Sequence, residues 1–106
     1  MFIKYDELDL LELFQNEPVS ITGNKDDGQL IYTYKNDQNF KVILTLDIYK
    51  QTSILSITYN DSIVFTGDFD NITSIIKEDD QAMVINVGEE ARLKVKFYKQ
   101  VGVELL

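Results

Sequence analysis

The chain has 106 residues with ten Lys and Arg against eighteen Asp and Glu, a formal charge of −8 at pH 7, and no Cys, His or Trp. This length fits a single domain over residues 1–106, and the 44% of apolar residues can supply a core without disulfides. The missing residue types exclude disulfides, zinc–thiolate sites, cysteine nucleophiles and any mechanism that uses a histidine base.

The start of the chain and its apolar runs bear on localisation. Residues 1–7 lack the basic start and apolar stretch of a signal peptide. The longest apolar runs have three or four residues, whereas about 20 are needed to cross a bilayer. We therefore expect a cytoplasmic protein that does not contact membranes.

The first element in chain order is predicted to be a helix over residues 6–15. Its apolar residues recur at intervals of three and four, Asp6 can cap the first turn, and Pro18 prevents continuation. The apolar face consists of Leu8, Leu10, Leu11, Leu13 and Phe14.

After Pro18 the apolar period changes to two, which predicts antiparallel strands. The clearest case is 40–49, where Phe40, Val42, Leu44, Leu46 and Ile48 alternate with polar or half-exposed positions. Strands are predicted at 19–22, 30–34, 40–49, 55–59, 63–66, 83–87, 91–98 and 101–105.

Two details concern the middle of the chain. A three-residue turn at 60–62 would pair Tyr59 with Ile63 and Ile57 with Phe65, which keeps the large apolar side chains on one face. Residues 71–77 are predicted to form a short helix, because three isoleucines are spaced by three and four residues and Asp70 can cap them.

The sequence thus predicts an α+β domain dominated by an antiparallel meander of seven or eight strands in one or two sheets, with an N-terminal helix and a short helix near 71–77. The predicted core consists of Leu11, Phe14, Val42, Leu44, Leu46, Leu55, Ile57, Phe65, Ile75, Val84, Leu93, Val95 and Phe97.

The sequence contains no clear catalytic motif and no clear metal-binding motif. The carboxylates lie in predicted turns and on outward strand positions, so no acid–base pair stands out, although a carboxylate enzyme remains a third hypothesis. The stretch Asp68–Asn71 resembles the start of a calcium loop, but Thr73 and Asp79 stand where that loop needs Gly and Glu. We expect no enzyme activity, no cofactor and no metal.

A basic strand face is the basis of an alternative function. Arg92, Lys94 and Lys96 alternate on one face with Tyr98, and Lys99 follows. Such faces bind single-stranded nucleic acid in some proteins. The competing interpretation is that the lysines pair with acids of neighbouring strands. The charge of −8 favours the latter, because it repels phosphate.

Acidic clusters point instead to a basic protein partner. Carboxylates concentrated in loops can steer a cationic protein and hold it by charge-assisted hydrogen bonds, and tyrosines are favoured anchors at interfaces. The predicted partner-binding residues are Asp26, Asp27, Asp68, Asp70, Glu78, Asp79, Asp80, Glu89, Glu90 and Tyr59, with Tyr32, Tyr34, Tyr49 and Tyr98 as further candidate anchors.

In format, the chain resembles the small acidic immunity proteins of bacterial contact-dependent and polymorphic toxin systems. The resemblance lies in the N-terminal segment 5–14, the hairpin 55–65, the separating segment 72–76 and the C-terminal strands 92–106. It implies tight one-to-one neutralisation of a cognate toxin, often a nuclease with a basic active site. It also implies similarity to folds in which two sheets flank a helix.

Overall fold

Two antiparallel sheets and one α-helix make up residues 2–106, the part of the chain that this computed structural model describes. In chain order the elements are α1 (Glu7–Phe14), β1 (Val19–Ser20), a 3₁₀ turn (Lys25–Asp27), β2 (Gln29–Lys35), β3 (Phe40–Asp47), β4 (Thr52–Tyr59), β5 (Ser62–Phe69), β6 (Ile72–Asp79), β7 (Ala82–Val87), β8 (Glu90–Lys96) and β9 (Gly102–Leu105). The first sheet has the order β1-β2-β3-β4-β5 and the second β6-β7-β8-β9. The predicted antiparallel meander and N-terminal helix are confirmed, with nine strands in the described residues instead of seven or eight.

The inward faces of the two sheets share one hydrophobic core. In β3, Val42, Leu44 and Leu46 are buried, and the register places Leu44 between Tyr32 of β2 and Leu55 of β4. Since side chains alternate across a strand, one face of each strand is apolar and the other meets water. The predicted core residues that are buried are Phe14, Val42, Leu44, Leu46, Leu55, Ile57, Ile75, Leu93, Val95 and Phe97.

Three predicted core residues lie at its margin: Leu11, Phe65 and Val84 are half-buried. In β7 the buried side chains are Ala82, Met83 and Ile85, so the predicted inward position of Val84 is wrong. Both faces of Met83–Val87 carry apolar residues. The alternation of apolar and polar residues therefore could not show which face of this strand points inward. Pairing of Ile85 with Leu93 of β8 sets the inward face.

Residues 72–77 belong to strand β6, so the predicted short helix over 71–77 capped by Asp70 is wrong. Ile72 and Ile75 are buried, whereas Ile76 is exposed. A β-bulge just after Ile72 inserts an extra residue into the strand. The bulge brings the side chains of Ile72 and Ile75, which are three positions apart, onto the same face. That spacing imitates a helix, while the β-branched residues of the segment favour a strand.

The β4–β5 hairpin turns on two residues, not on the predicted three. Asn60 and Asp61 have φ of 50° and 64°, as in the tight turns that suit strand twist, so Tyr59 pairs with Ser62. A bulge then restores the predicted pairing of Ile57 with Phe65. The apolar side chains left in solvent by this arrangement are Ile63 and Val64.

Helix α1 begins at the predicted cap. The carboxylate of Asp6 accepts hydrogen bonds from the backbone N–H of Leu8 (2.9 Å) and of Asp9 (3.2 Å), which satisfies two free donors of the first turn. Gln15 has φ of 59° and ends the helix after Phe14. The side chains that the helix buries are Leu10, Leu13 and Phe14.

The helix joins the two sheets. The ring of Phe14 packs on Tyr32 of β2 and on Phe97 beyond β8, with ring centroids 5.3 and 5.0 Å apart. The ammonium group of Lys77 in β6 hydrogen-bonds the carboxylate of Glu12 in α1. Since α1 contacts β2 and β6, it covers apolar surface of both sheets.

The residues before the helix tie the sheets together through the backbone. The N–H of Ile3 donates to the carbonyl of Ile48 after β3 (2.9 Å). Lys4 lies beside β6, donating to the carbonyl of Thr73 (3.0 Å) and accepting from the N–H of Ile75 (2.9 Å). The side chain of Ile3 is buried, so this segment belongs to the core.

Tyr5 of this segment lies beside Tyr32 of β2. Tyr32 is buried, and burial raises the pKa of its phenol, with the neighbouring Tyr5 adding to the shift. Burial also raises the pKa of Tyr5, and the negative charge of Glu7 acts in the same direction. Both phenols are therefore held neutral beyond the pH at which an exposed tyrosine ionises.

Replacing Leu44 by Ala should lower the free energy of unfolding by about 2–5 kcal/mol, because it leaves a cavity at the centre of the first sheet. The matched control is Ile43→Ala, which removes an aliphatic side chain from the half-buried outer face of the same strand. Urea unfolding measures both. Equal losses in the two variants would contradict the assigned faces of β3.

Replacing Gly28 by Ala should destabilise the fold more than replacing Gly23 by Ala. Both glycines have positive φ (74° and 88°), so each substitution costs about 1–2 kcal/mol in backbone strain. Only at Gly28 would the new Cβ meet the ring of Tyr49, at 2.8 Å. The difference between the two melting temperatures measures this contact, and addition of Tyr49→Ala should shrink it.

Replacing Tyr32 by Phe should make stability less sensitive to alkaline pH. The unfolded chain loses this phenolic proton near pH 10, before the folded protein does, so the folded state binds more protons and stability falls as pH rises. Urea unfolding between about pH 8 and about pH 11 measures the slope. A Tyr32→Phe variant whose slope matches that of the unaltered chain would contradict this role of Tyr32.

Candidate interaction surfaces

One group of predicted carboxylates lies where β5 leads into β6. The backbone N–H of Gly88 donates to the carbonyl of Asn71 (3.2 Å), and the hydroxyl of Thr73 donates to the carbonyl of Gly88 (2.7 Å). These bonds join the β5–β6 turn to the β7–β8 turn. The exposed acids at this end are Asp68, Asp70, Glu89 and Glu90, and within residues 2–106 none of them forms an ion pair.

A second group lies at the opposite end of β6 and consists of Glu78, Asp79 and Asp80. The backbone N–H of Phe97 donates to the carbonyl of Gln81 and fixes the β6–β7 turn (2.6 Å). Asp80 lines a cleft of about 340 Å³ with Glu12 and Tyr34. This end therefore faces the C-terminal turn of α1.

A third group, Asp26 and Asp27, lies on the 3₁₀ turn before β2. The side chain of Asn24 caps this turn by accepting from the N–H of Asp26 (3.0 Å). Asp26 lines a cleft of about 470 Å³. Its other polar lining residues are Tyr5, Glu7, Glu17, Lys25, Tyr32 and Tyr49. The nine predicted acids thus fall into three groups. Asp68, Glu78, Asp79 and Glu90 lie within strands instead of the predicted loops.

Tyr59, the predicted aromatic anchor, lies at the end of β4. Its ring is 42% exposed and packs on Phe40, with ring centroids 4.7 Å apart. The two rings, together with Val64, Lys99 and Val101, line a cleft of about 600 Å³. This cleft offers an apolar recess beside the start of β5.

The basic face of β8 is largely neutralised by its neighbours. Lys94 Nζ lies 3.1 Å from the carboxylate of Glu78, and Lys96 Nζ lies 3.3 Å from that of Glu104. The hydrogen bond with Glu78 raises the pKa of Lys94. Two of the three basic strand residues are therefore paired with acids: Lys96 with Glu104 on the adjacent strand β9, as the competing interpretation of this face predicted, and Lys94 with Glu78 on β6, two strands away.

Sequence reasoning missed the exposure of β5. Ile63 was predicted to face inward, but it is 69% exposed, and Val64 is 58% exposed. The available signal was the dipeptide Asn60–Asp61, because both residue types tolerate the positive φ of a two-residue turn. That turn shifts the register and directs the first part of β5 into solvent.

Two further observations concern residues 2–106. They contain no helix that is long and apolar enough to span a membrane. Over the same range, no group of three or more Asp and Glu side chains is arranged to hold a metal ion. The segment that carries Asp68 and Asp70 does not form a calcium loop, because the chain is extended up to Phe69 as part of β5.

Comparison with known proteins bears on the fold. No protein-family model matches this sequence, and no curated protein matches it. Among solved structures, the chain is similar to a chain of a contact-dependent growth inhibition toxin–immunity protein complex from Klebsiella pneumoniae 342, with a TM-score of 0.75 and 19% identity. The match covers 98% of this chain and 96% of that chain. The likeness to that toxin–immunity system predicted from the sequence is thereby confirmed at the level of the fold.

Proposed function

We propose that this chain is an immunity protein, which binds a contact-dependent growth inhibition toxin and neutralises it without catalysing a reaction. The observation that carries the proposal is the fold similarity to a chain of a toxin–immunity complex, at a TM-score of 0.75 over 98% of this chain. Because the match extends over nearly all of both chains, it concerns the whole domain and not a shared hairpin.

Charge and composition favour the inhibitor over the toxin of such a complex. The chain carries −8 and has no His or Cys, the residues that most often act as base or nucleophile at neutral pH. Fourteen of its eighteen acids are free of the four ion pairs found among residues 2–106. The exposed carboxylates among them that accept no backbone hydrogen bond are available to a cationic partner.

The partner that fits this surface is a toxin with a basic active site, such as a nuclease. Enzymes that cleave nucleic acid need cationic surfaces to hold phosphate, and an acidic protein can compete for those surfaces. In this proposal the inhibitor acts in the cytoplasm. Long-range attraction accelerates its association with the toxin, and contacts at short range set the dissociation rate.

Association with the toxin domain, sought in the product of the neighbouring open reading frame, should be fast at low salt and slow at high salt. We expect the association rate constant to fall about 10-fold or more between about 0.05 M and about 0.5 M NaCl, because salt screens the attraction. Stopped-flow fluorescence measures the rate. Coexpression of this chain should also restore growth to cells that produce the toxin domain.

A toxin domain from an unrelated growth-inhibition system is the control for specificity. It should neither bind this chain nor be neutralised by it. Absence of a complex with the adjoining toxin domain, or a complex that leaves the toxin active, would contradict the proposed function.

A further inference from the structure

Strand β5 is the long open edge of the fold. Within residues 2–106, the sheets have four outer strands: β1 has two residues, β9 has four, and β6 is covered in part by Lys4. β5 has eight residues, and among the described residues no backbone group lies along its outer side as a hydrogen-bond partner. Since every second residue of a strand points its N–H and C=O to the same side, β5 presents a row of free donors and acceptors.

Natural sheets usually protect such an edge with lysine, proline or a very short strand. Residues 62–69 contain no Lys, Arg or Pro. The bulge near Val64 distorts the first part of β5, whereas Phe65–Phe69 pairs regularly with β4. The rings of Phe65 and Phe69 lie over Gly67 and close its inner face, since a Cβ built there would be 3.1–3.3 Å from them. The regular half of the strand therefore offers a backbone edge with little to obstruct it.

The charges around β5 indicate the chemistry of its partner. Asp61, Asp68 and Asp70 flank or belong to the strand, and residues 60–71 contain no basic residue. Both Asp68 and Asp70 are exposed and have no ion-pair partner in the part of the chain that the structure describes. An extended segment with Lys or Arg side chains would complement this edge.

From these observations we infer that the edge of β5 is the docking site for the toxin, which adds an extended cationic segment to the first sheet as a sixth strand. The inference rests on the proposed function. Backbone hydrogen bonds hold the added strand, as in other cases of strand addition, and the carboxylates select its charge. The adjoining cleft of about 600 Å³, lined by Tyr59, Val64 and Lys99, receives an apolar side chain of the same segment and not a cationic one, because a cation there would meet Lys99.

A second copy of this chain fits the edge less well. Two β5 strands related by a two-fold axis would run antiparallel, so Asp61 of each copy would lie against the Asp68–Asp70 end of the other. Like charges opposite one another destabilise a strand pair. The charge of −8 on each chain adds long-range repulsion.

Hydrogen exchange of the complex with the toxin domain encoded beside this chain tests the backbone pairing. The amides of 65–69 that face away from β4 should exchange at least roughly 10-fold more slowly in the complex than in the free chain, because pairing protects them. Amides of β1 at the opposite edge should change little. A complex in which β5 exchanges as fast as in the free chain would overturn the inference and leave the proposed function intact.

A pair of matched variants tests the charge selection. Asp68→Lys with Asp70→Lys alters the β5 edge, and Asp26→Lys with Asp27→Lys alters the far side of the first sheet. Each pair raises the formal charge from −8 to −4, so both lose the same long-range attraction. The β5 pair should weaken binding roughly 30-fold or more beyond the control pair, since it removes contacts at short range.

Melting curves establish that both variant pairs fold. Equal losses of affinity in the two pairs would overturn the docking site at β5. A free chain that is dimeric by light scattering, with β5 already protected from exchange, would assign the edge to a second copy and also overturn the inference. Failure of the unaltered chain to bind the toxin domain would overturn the proposed function and this inference together.

Discussion

The side chains of Leu44 and Leu55 in the first sheet share one core with Ile85 and Leu93 in the second. Neither sheet can bury its apolar face alone, so the two must cover each other, and this constraint determines most of the remaining structure. The position of the N-terminal segment, which contacts both sheets, follows from this constraint. Ile3 bonds to the backbone after β3, Lys4 lies beside β6, and α1 places apolar side chains against both sheets.

The polar and charged side chains lie on the outer faces of the sheets and in the turns, which this packing leaves exposed to solvent. Lys94 and Lys96 of β8 pair with acids of β6 and β9, which neutralises most of the basic face of this strand. Most carboxylates have no such partner and lie at turns and strand ends, in three groups. A hydrogen-bonded pair of turns brings one group, which includes Asp70 and Glu89, close to the open edge of β5.

The proposed inhibitor role needs a rigid platform and a complementary surface, and these features supply candidates for both. The alternating core can persist while the outer side chains change, so 19% identity is compatible with a TM-score of 0.75. In the proposed role, charge would bring the toxin to the surface, but charge alone would not hold it in one orientation. A regular backbone edge can supply that orientation, because strand pairing fixes register and direction at once.

Local alternation was sufficient to determine the strands around Leu44, the inward face of β8 and the capped helix that begins after Asp6, since each depends on a period of two or 3.6 residues. The identity of 71–77 as a strand, the inward phase of β7 and the exposure of Ile63 were decided by tertiary structure. In these segments a bulge or a two-residue turn changes the face of each following side chain, and pairing with distant strands selects among the locally acceptable registers. The grouping of the acids and the open edge of β5 were decided in the same way, because both depend on which strands become neighbours and which become the last strand of a sheet.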